Sequence, residues 1–326
     1  MTFPSQSKYV LIGDQGTAGT AGTSGTASIS KDAGLIITDV TDEINREVIE
    51  TSGISKIETQ KVSTGMVDDG ISFEGAFQHG RLFKYILGEV ASVQSTNDWT
   101  HTFTIAEAPH IATIESGDSL SSDVVLKHVN QMIESAELST ALNENVKLSV
   151  TFKGNASNSS QTAQTAVLST LPIFPHSLVT VTFDNKTANE VQNASISFNK
   201  VIERSGGLGS NIYQQTHPTE LKIEFNANLG FFDGRVDRLM LSGTAGVGTA
   251  ATTTEKEPSS FDFKINANNG VTLGSGRREI EVELKNCYLS TYTKTASVGG
   301  LTFIDITGIG TLNSLFTVDN ITDVLF

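Results

Sequence analysis

The chain has 326 residues, a formal net charge of −14 at pH 7 and a single cysteine, Cys287. The negative charge argues against a protein that grips nucleic acid, because neutralisation of phosphates by basic residues dominates such binding. One thiol excludes an intrachain disulfide and a cysteine-based zinc cluster, so we expect stability to come from core packing and assembly.

Three low-complexity tracts interrupt the chain. Residues 13–30 repeat Gly-Thr-Ala and Gly-Thr-Ser units, whose small side chains cannot fill a core and whose glycines leave the backbone free. This composition predicts a flexible N-terminal arm over residues 1–30. The tract 242–254 predicts a long loop, and the Ser/Thr/Asn/Gln-rich tract 155–165 predicts a linker between domains.

Most of the remaining chain alternates apolar and polar residues, which is the pattern of a strand with one face on a core. Valine and threonine are frequent in these stretches, and glycine or asparagine ends many of them. The pattern predicts an all-β fold with long strands. The clearest alternating stretches are 102–105, 146–152, 178–183, 194–198, 221–225, 261–265 and 280–284.

Two short helical turns and one ambiguous segment are predicted among the strands. Residues Leu82–Leu87 form an apolar patch followed by Gly88, a residue type that commonly ends a helix. The patch Arg235–Met240, which precedes Gly243, is the predicted counterpart of this turn. Segment Ser121–Ile133 has apolar residues at helical spacing where a strand is otherwise expected, so both assignments stay open.

The two halves of the chain present the same signals in the same order, which indicates an internal duplication. In each half, an alternating stretch leads to a glycine, an apolar patch, a second glycine, a short aromatic strand and a closing pair of strands. The matched stretches are 71–77 with 221–227, 102–105 with 261–265, and 129–154 with 280–308. We predict one β domain over residues 31–165 and a second over residues 166–326.

The sequence gives little support for an enzyme. The glycine-rich run Gly206–Ser210 lacks the lysine that a phosphate-binding loop needs. His101 and His110 fit no metal-ligand spacing, there is no Gly-x-Ser-x-Gly motif, and the acidic pairs Asp42-Glu43 and Asp68-Asp69 are interpreted as loop residues. We therefore predict a non-enzymatic protein with no catalytic residues, no metal site and no cofactor.

Over residues 31–326, the order and character of the segments resemble the tail tube proteins of long-tailed bacteriophages and related archaeal viruses. The similarity rests on an acidic stretch from Ile37 to Glu58, a long strand leading into a helical patch over 73–88, and the strands Leu148–Gly154 and Asn193–Lys200. The resemblance implies a tail-tube-type β-sandwich or barrel fold. Long strands of several subunits would combine into one closed barrel around a channel.

The same resemblance implies a role in the virion tail. Rings of subunits would stack into a tube that delivers the genome, after assembly in the host cytoplasm and without a membrane. A duplicated chain would form a three-membered ring with pseudo-sixfold symmetry, whereas a single-domain chain would form a six-membered ring. The implied partners are a tape measure protein and tail-tip or terminator proteins. DNA would pass without specific binding, so we expect lumen-facing positions to be polar or acidic, with few lysines.

Under this resemblance, a long loop between two strands would lock one ring to the next. The predicted loop spans Glu203–Thr219, and Gly206, Gly207, Asn211 and Tyr213 are its predicted contact residues.

Two other kinds of protein stay open as alternatives. One is a different virion or surface-layer β subunit, such as a sheath or capsid-decoration protein. The other is a carbohydrate-binding or adhesive β-sandwich, although its usual aromatic platforms have few candidates in a chain with one tryptophan and five tyrosines.

Overall fold

A computed structural model gives the fold, which consists almost entirely of strands, as the alternating pattern predicts. The structure describes residues 8–15, 31–51, 61–95, 98–107, 110–118, 121–154, 156–160, 169–184, 186–188, 191–210, 213, 215–230, 260–273, 277–296 and 302–320. The strands are β1 (Lys8–Asp14), β2 (Lys31–Asp32), β3 (Leu35–Thr51), β4 (Lys61–Phe77), β5 (Gly88–Ser95), β6 (Asp98–Ile105), β7 (Ala112–Asp118), β8 (Ser121–Ala141), β9 (Lys147–Gly154), β10 (Ala156–Ser160), β11 (Val179–Phe183), β12 (Lys186–Ala188), β13 (Val191–Ser205), β14 (Gln215–Gly230), β15 (Phe261–Thr272), β16 (Arg277–Thr295) and β17 (Phe303–Asp319). One α-helix, α1 (Arg81–Leu87), and a 3-10 turn at His176–Leu178 complete the described elements.

The predicted helical turn is confirmed as α1. Gly88 ends it in the left-handed conformation, with φ of 103°, and its N–H donates to the carbonyl of Lys84. All seven residues of the helix are buried, so the helix fills the core rather than covering it. The ambiguous segment Ser121–Ile133 belongs to strand β8. The predicted counterpart of the helix, Arg235–Met240, lies outside the described residues.

Eight strands form one continuous antiparallel sheet, which we call the shared sheet. Its order is β3-β4-β9-β8-β13-β14-β17-β16. The two halves of the chain meet where β8 pairs with β13, over seven residue pairs from Ser135–Asn199 to Ala141–Asn193. We call this pairing the internal seam.

The apolar face of the shared sheet packs against the other strands and α1. Phe225 of β14 stacks on Phe263 of β15 with ring centroids 4.8 Å apart, although these two strands do not pair with each other. The ring centroids of Phe77 in β4 and Phe83 in α1 are 5.8 Å apart. Buried residues of both halves form one hydrophobic cluster, so the core is continuous across the internal seam.

The pairing order of the first half recurs in the second half. The first half runs β3-β4-β9-β8-β7-β1-β2, and the second runs β13-β14-β17-β16-β15-β11-β12. Local irregularities recur too, because the bulge before Asp39 in β3 matches the bulge before Asn193 in β13. Asn130 in β8 and Asn286 in β16 both have positive φ, of 54° and 50°. The two halves are therefore structural repeats.

The structural match corrects two details of the predicted duplication. The matched bulges make Ile71 equivalent to Phe225. The sequence comparison predicts Leu221 instead, which lies four residues before Phe225. The aromatic strand Phe261–Ile265 corresponds to β7, and not to the predicted stretch Thr102–Ile105, because β7 pairs with β8 as β15 pairs with β16. The domain boundaries at residues 31, 165 and 166 stay a prediction.

Strand β1 corrects the predicted arm over residues 1–30. Val10, Leu11 and Ile12 are buried, and β1 pairs with both β7 and β2, so this segment is part of the fold. The equivalent strands β11 and β12 are joined by a tight turn at Asp184, where φ is 50°. The Gly/Thr tract thus interrupts a connection between two paired strands. Residues 16–30 of the tract lie outside the described part of the chain.

The predicted linker 155–165 contains a strand. Residues Ala156–Ser160 form β10, which pairs with Val125–Val129 of β8. Residues 161–165 and the predicted loop 242–254 fall outside the described residues.

Candidate assembly surfaces

One face of the shared sheet is polar across all eight strands, because residues paired across neighbouring strands share a face. We call it the polar face. It contains Asp39, Thr41, Glu43, Ser72, Glu74, Ser135, Glu137, Ser139, Lys147, Ser149, Thr151, Lys153, Ser195, Ser197, Asn199, Lys222, Glu224, Asn226, Asn228, Thr291, Thr293, Asp305 and Thr307. Six of these side chains are carboxylates and three are lysines, so the face is acidic on balance.

Each lysine on the polar face has a glutamate beside it. The Nζ–carboxylate distance is 2.7 Å from Lys147 to Glu144, 2.6 Å from Lys153 to Glu134, and 2.8 Å from Lys222 to Glu224. A polyanion close to this face would meet little uncompensated positive charge, and so would release few counterions on binding.

The shared sheet has two open edges in the part of the chain that the structure describes. Strand β3 pairs with β4 alone, and residues Tyr288–Thr295 of β16 pair with β17 alone. In the repeats, these strands are equivalent to β13 and β8, which pair with each other. Ile44 of β3 is 46% exposed, whereas its equivalent Phe198 at the internal seam is 1% exposed. Exposed, unpaired strand edges are sites where another chain can add.

The β13–β14 hairpin carries the residues predicted for contact between rings. Strand pairing continues to Ser205 and Gln215, so the loop is residues 206–214 and is shorter than the predicted loop Glu203–Thr219. The additional residues at each end belong to the strands because their backbones are paired. Gly206, Gly207 and Tyr213 lie within the loop, and Asn211 lies outside the described residues.

The base of this loop is fixed to the first repeat. Arg204 donates to the carboxylate of Asp68 in β4, and its guanidinium carbon lies 4.4 Å from the centroid of the Tyr213 ring. Burial lowers the pKa of Arg204, but the hydrogen bond and charge of Asp68 outweigh it and raise this pKa above its usual value. The hydrogen bond to Arg204 also lowers the pKa of Asp68. Tyr213 is thus held at the base of the loop.

The described tip of the loop is exposed at Leu208 and Gly209. Gly206 packs on Met66, where an added Cβ would lie 2.6 Å from the Met66 Cε. Gly209 has φ of +87° and no atom within 4 Å of an added Cβ, and Leu208 is fully exposed. The loop therefore presents an apolar tip on an anchored base.

A polar cluster lies inside the first repeat. His128 is fully buried and bonds through Nδ1 to Asp69, at 2.9 Å, and through Nε2 to Asp42, at 3.0 Å. Ser116 donates to Asp42 at 2.6 Å, and Gln131 donates to Asp69 at 2.6 Å. Burial lowers the pKa of His128, but both carboxylates outweigh it and raise this pKa to about 9. The imidazolium is therefore the form present at neutral pH.

The second repeat has apolar residues at the positions of this cluster. By the strand register, Leu284 is equivalent to His128, Ile196 to Asp42 and Ile223 to Asp69. Each of these three residues is buried. The fold therefore does not require polar groups there, and the cluster is specific to the first repeat, next to the open edge of β3.

The described residues offer no arrangement typical of a metal site. No group of three or more His, Cys, Asp or Glu side chains among them could hold a metal ion. A pocket of about 390 Å³ between β8 and β11 has His176 as its one titratable lining residue. No helix in the described ranges is long and apolar enough to cross a membrane.

A comparison with protein families shows which family the chain resembles. A family model described as phage tail tube protein matches residues 5–307. No curated protein matches the chain. The matched range includes β1 to β16 and the first residues of β17, and so covers both structural repeats.

Proposed function

The chain belongs to the phage tail tube protein family, and we propose that it builds the tail tube as stacked rings of three chains. The observation that carries this proposal is the shared sheet, which spans two structural repeats and has an open edge at each end. Such an arrangement is a head-to-tail interface, which closes into a ring when the rotation between copies allows it. Each chain then contributes two equivalent wall segments, which gives pseudo-sixfold symmetry.

The wall of the ring would be one closed barrel. Each chain supplies eight strands, so three chains supply 3 × 8 = 24 strands. Closure pairs every strand edge of the shared sheet and so removes the aggregation risk of an open edge.

The polar face would line the channel. Its six carboxylates and its three glutamate-paired lysines offer DNA no strong counterion-releasing contacts, so the genome can slide along it. The opposite face is covered by β7, β15 and α1 and is therefore unsuited to face a channel.

The test of this function is electron microscopy of the purified full-length chain, with native mass spectrometry of the assemblies. We expect hollow tubes or stacked rings, with masses at multiples of three chains and six density lobes per ring. Rings of six chains would contradict the stoichiometry alone. Monomers at all concentrations would contradict the proposal that this chain assembles by itself.

The β13–β14 loop, with the exposed Leu208 at its tip, is proposed to hold one ring on the next, and Gly206, Gly207, Asn211 and Tyr213 are its proposed contact residues. Replacing residues 206–214 by Asn-Gly preserves the pairing of Ser205 with Gln215, because this dipeptide favours a two-residue hairpin turn. We expect rings of normal mass that no longer stack, measured as the loss of tubes in micrographs. A second variant, Leu208→Ser, retains the whole loop and removes only its exposed leucine, and it should also weaken stacking. Tubes of normal length from the Asn-Gly variant would contradict a stacking role for the loop.

The role of the chain in the particle is proposed to be structural and not catalytic. Its place is the virion tail, with assembly in the host cytoplasm. A tape measure protein in the channel and tail-tip or terminator proteins at the ends of the tube are the proposed partners.

A further inference from the structure

We infer that the internal seam is the template for the contact between copies: the outer edge of β16 in one chain pairs antiparallel with the outer edge of β3 in the next. This inference rests on the proposed ring and adds the register and the residue pairs that form it. The occupant of each open edge is a second copy of this chain, because the chain already contains one complete example of the same contact.

The register follows from the irregularities that the repeats share. The bulge match places Asn193 of β13 over Asp39 of β3, so residues of β13 correspond to residues of β3 numbered 193 − 39 = 154 lower. The match of Asn130 with Asn286 means that residues of β8 correspond to residues of β16 numbered 286 − 130 = 156 higher. Both matches agree with the pairings of β9 and β17 to their neighbours.

Transferring the internal seam by these shifts gives a defined contact between copies. The internal pairs Ser195–Ser139, Ile196–Leu138, Ser197–Glu137, Phe198–Ala136 and Asn199–Ser135 become Thr41–Thr295, Asp42–Lys294, Glu43–Thr293, Ile44–Tyr292 and Asn45–Thr291. In each transferred pair, the first residue belongs to β3 of one copy and the second to β16 of the next. Pairing by strand addition satisfies the backbone groups along both edges.

The side chains brought together are chemically complementary. Ile44, which is exposed in the single chain, would lie opposite the partly buried Tyr292 and form an aromatic–aliphatic pair. Lys294 would lie opposite Asp42, which already accepts hydrogen bonds from Ser116 and His128 on one carboxylate oxygen. Burial raises the pKa of Asp42, but His128, Ser116 and, least of all, the charge of Lys8 outweigh this effect and lower the pKa. The contact thus places a cation at a carboxylate-rich edge.

One residue pair is apolar in the internal seam and charged in the contact between copies. Where Ile196 and Leu138 make an apolar contact, Asp42 and Lys294 make a charged one. Salt screens an ion pair near the surface but has little effect on apolar contacts. We therefore expect high salt to weaken the contact between copies, measured as a smaller fraction of chains in rings, while the internal seam stays formed.

Paired cysteines test the register in the full-length chain. Glu43→Cys with Thr293→Cys places the two thiols directly opposite each other across neighbouring copies. Native Cys287 is fully buried and burial raises its pKa to about 12, so it does not compete. We expect mild oxidation, or a short thiol cross-linker, to give covalent dimers and trimers on a non-reducing gel. The internal pair Ser197→Cys with Glu137→Cys is the calibration, and it must cross-link within one chain without forming oligomers.

The matched control is Asn45→Cys with Thr295→Cys. These positions are four residues out of register, which corresponds to about 13 Å along a strand, and should give no oligomers. If rings are present in micrographs and this control cross-links to the same extent as the test pair, the register is overturned but the proposed function stands. If no variant gives oligomers and the wild type forms no rings, both are contradicted.

A charge change tests the same contact independently. Lys294→Glu would set a glutamate against Asp42, and we expect at least a tenfold higher protein concentration to be needed for ring formation. Lys285→Glu is the matched control, because it is an exposed lysine on the same strand outside the contact. Equal assembly of the two variants would overturn the Asp42–Lys294 pairing.

Discussion

Replacing Gly308 by valine is expected to cost the protein about 3 kcal/mol or more of its free energy of unfolding, the upper range for overpacking a core. Gly308 lies in β17, and an added Cβ would come within 2.3 Å of the Tyr288 carbonyl oxygen and 2.4 Å of the Phe225 ring. The backbone contact cannot be relieved by a side-chain rotation, so the strand pair itself must shift. Chemical denaturation of the purified variant measures the effect.

The two repeats explain why a glycine is needed at this position. In the first repeat the equivalent residue is Phe152, which stacks on Phe73 at 5.8 Å, and the neighbouring position holds Ile71. In the second repeat the large and small side chains change places: Phe225 occupies the position of Ile71, and Gly308 occupies the position of Phe152. Combining Phe225→Ala with Gly308→Val should cost less than the sum of the two single changes, since the alanine removes the ring contact but not the carbonyl contact. Thr311→Val, at an exposed position of the same strand, should change stability by about 0.5 kcal/mol or less. A Gly308→Val variant as stable as this control would contradict the packing argument.

The buried imidazolium of His128 is expected to make the protein less stable as the pH rises from 6.5 to about 9. The pKa is about 9 in the folded chain and 6.5 as the ordinary value. A raised folded pKa means that the contribution is fully present below pH 6.5 and is lost as the pH passes the folded pKa. At roughly 1.4 kcal/mol per pH unit, the loss is on the order of 3 kcal/mol.

The variant His128→Gln isolates this effect, because glutamine can donate a hydrogen bond to one aspartate but carries no titrating charge. Lys200 acts in the opposite direction, since burial lowers its pKa to about 8. The loss of folding stability caused by burying this charged lysine therefore fades as the pH rises above about 8. The useful quantity is therefore the difference in unfolding free energy between wild type and His128→Gln at each pH. We expect this difference to shrink between pH 6.5 and 9, and a constant difference would contradict a charged His128.

The sequence pattern was sufficient for most strands but misleading where a strand changes phase. Alternation predicts strands such as Leu221–Phe225 because one face of each is buried. Segment Ser121–Ile133 shows helical spacing because Asn130, with φ of 54°, shifts the phase of β8. Val129 and Met132 then both face the core, three residues apart. Only the pairing partners distinguish such a strand from a helix.

The polar cluster could not be predicted because its members are distant in the chain. Asp42 and Asp69 are interpreted as loop residues from their acidic neighbours, yet both lie in long strands. One local signal was present: Asp69 stands at the same alternating position as Val67, Ile71 and Phe73, which predicts a buried side chain. The partner that makes this burial tolerable, His128, is 59 residues away.

The open edges were also beyond sequence reasoning. Strands β3 and β13 have similar patterns, and only the three-dimensional pairing reveals that β13 has two neighbours and β3 has one. The resemblance to tail tube proteins implied that edges pair between subunits, but not which edges.

The internal seam has a kinetic consequence for tube growth. Strands β8 and β13 belong to one polypeptide, so they meet at a high effective concentration that does not depend on how much protein is present. In a ring of three chains, half of the wall contacts would therefore exist before any two molecules collide. The host cell must supply enough protein for only two encounters per ring, because the third contact between chains closes within the assembled trimer. Each encounter adds a unit in which one wall contact is already formed.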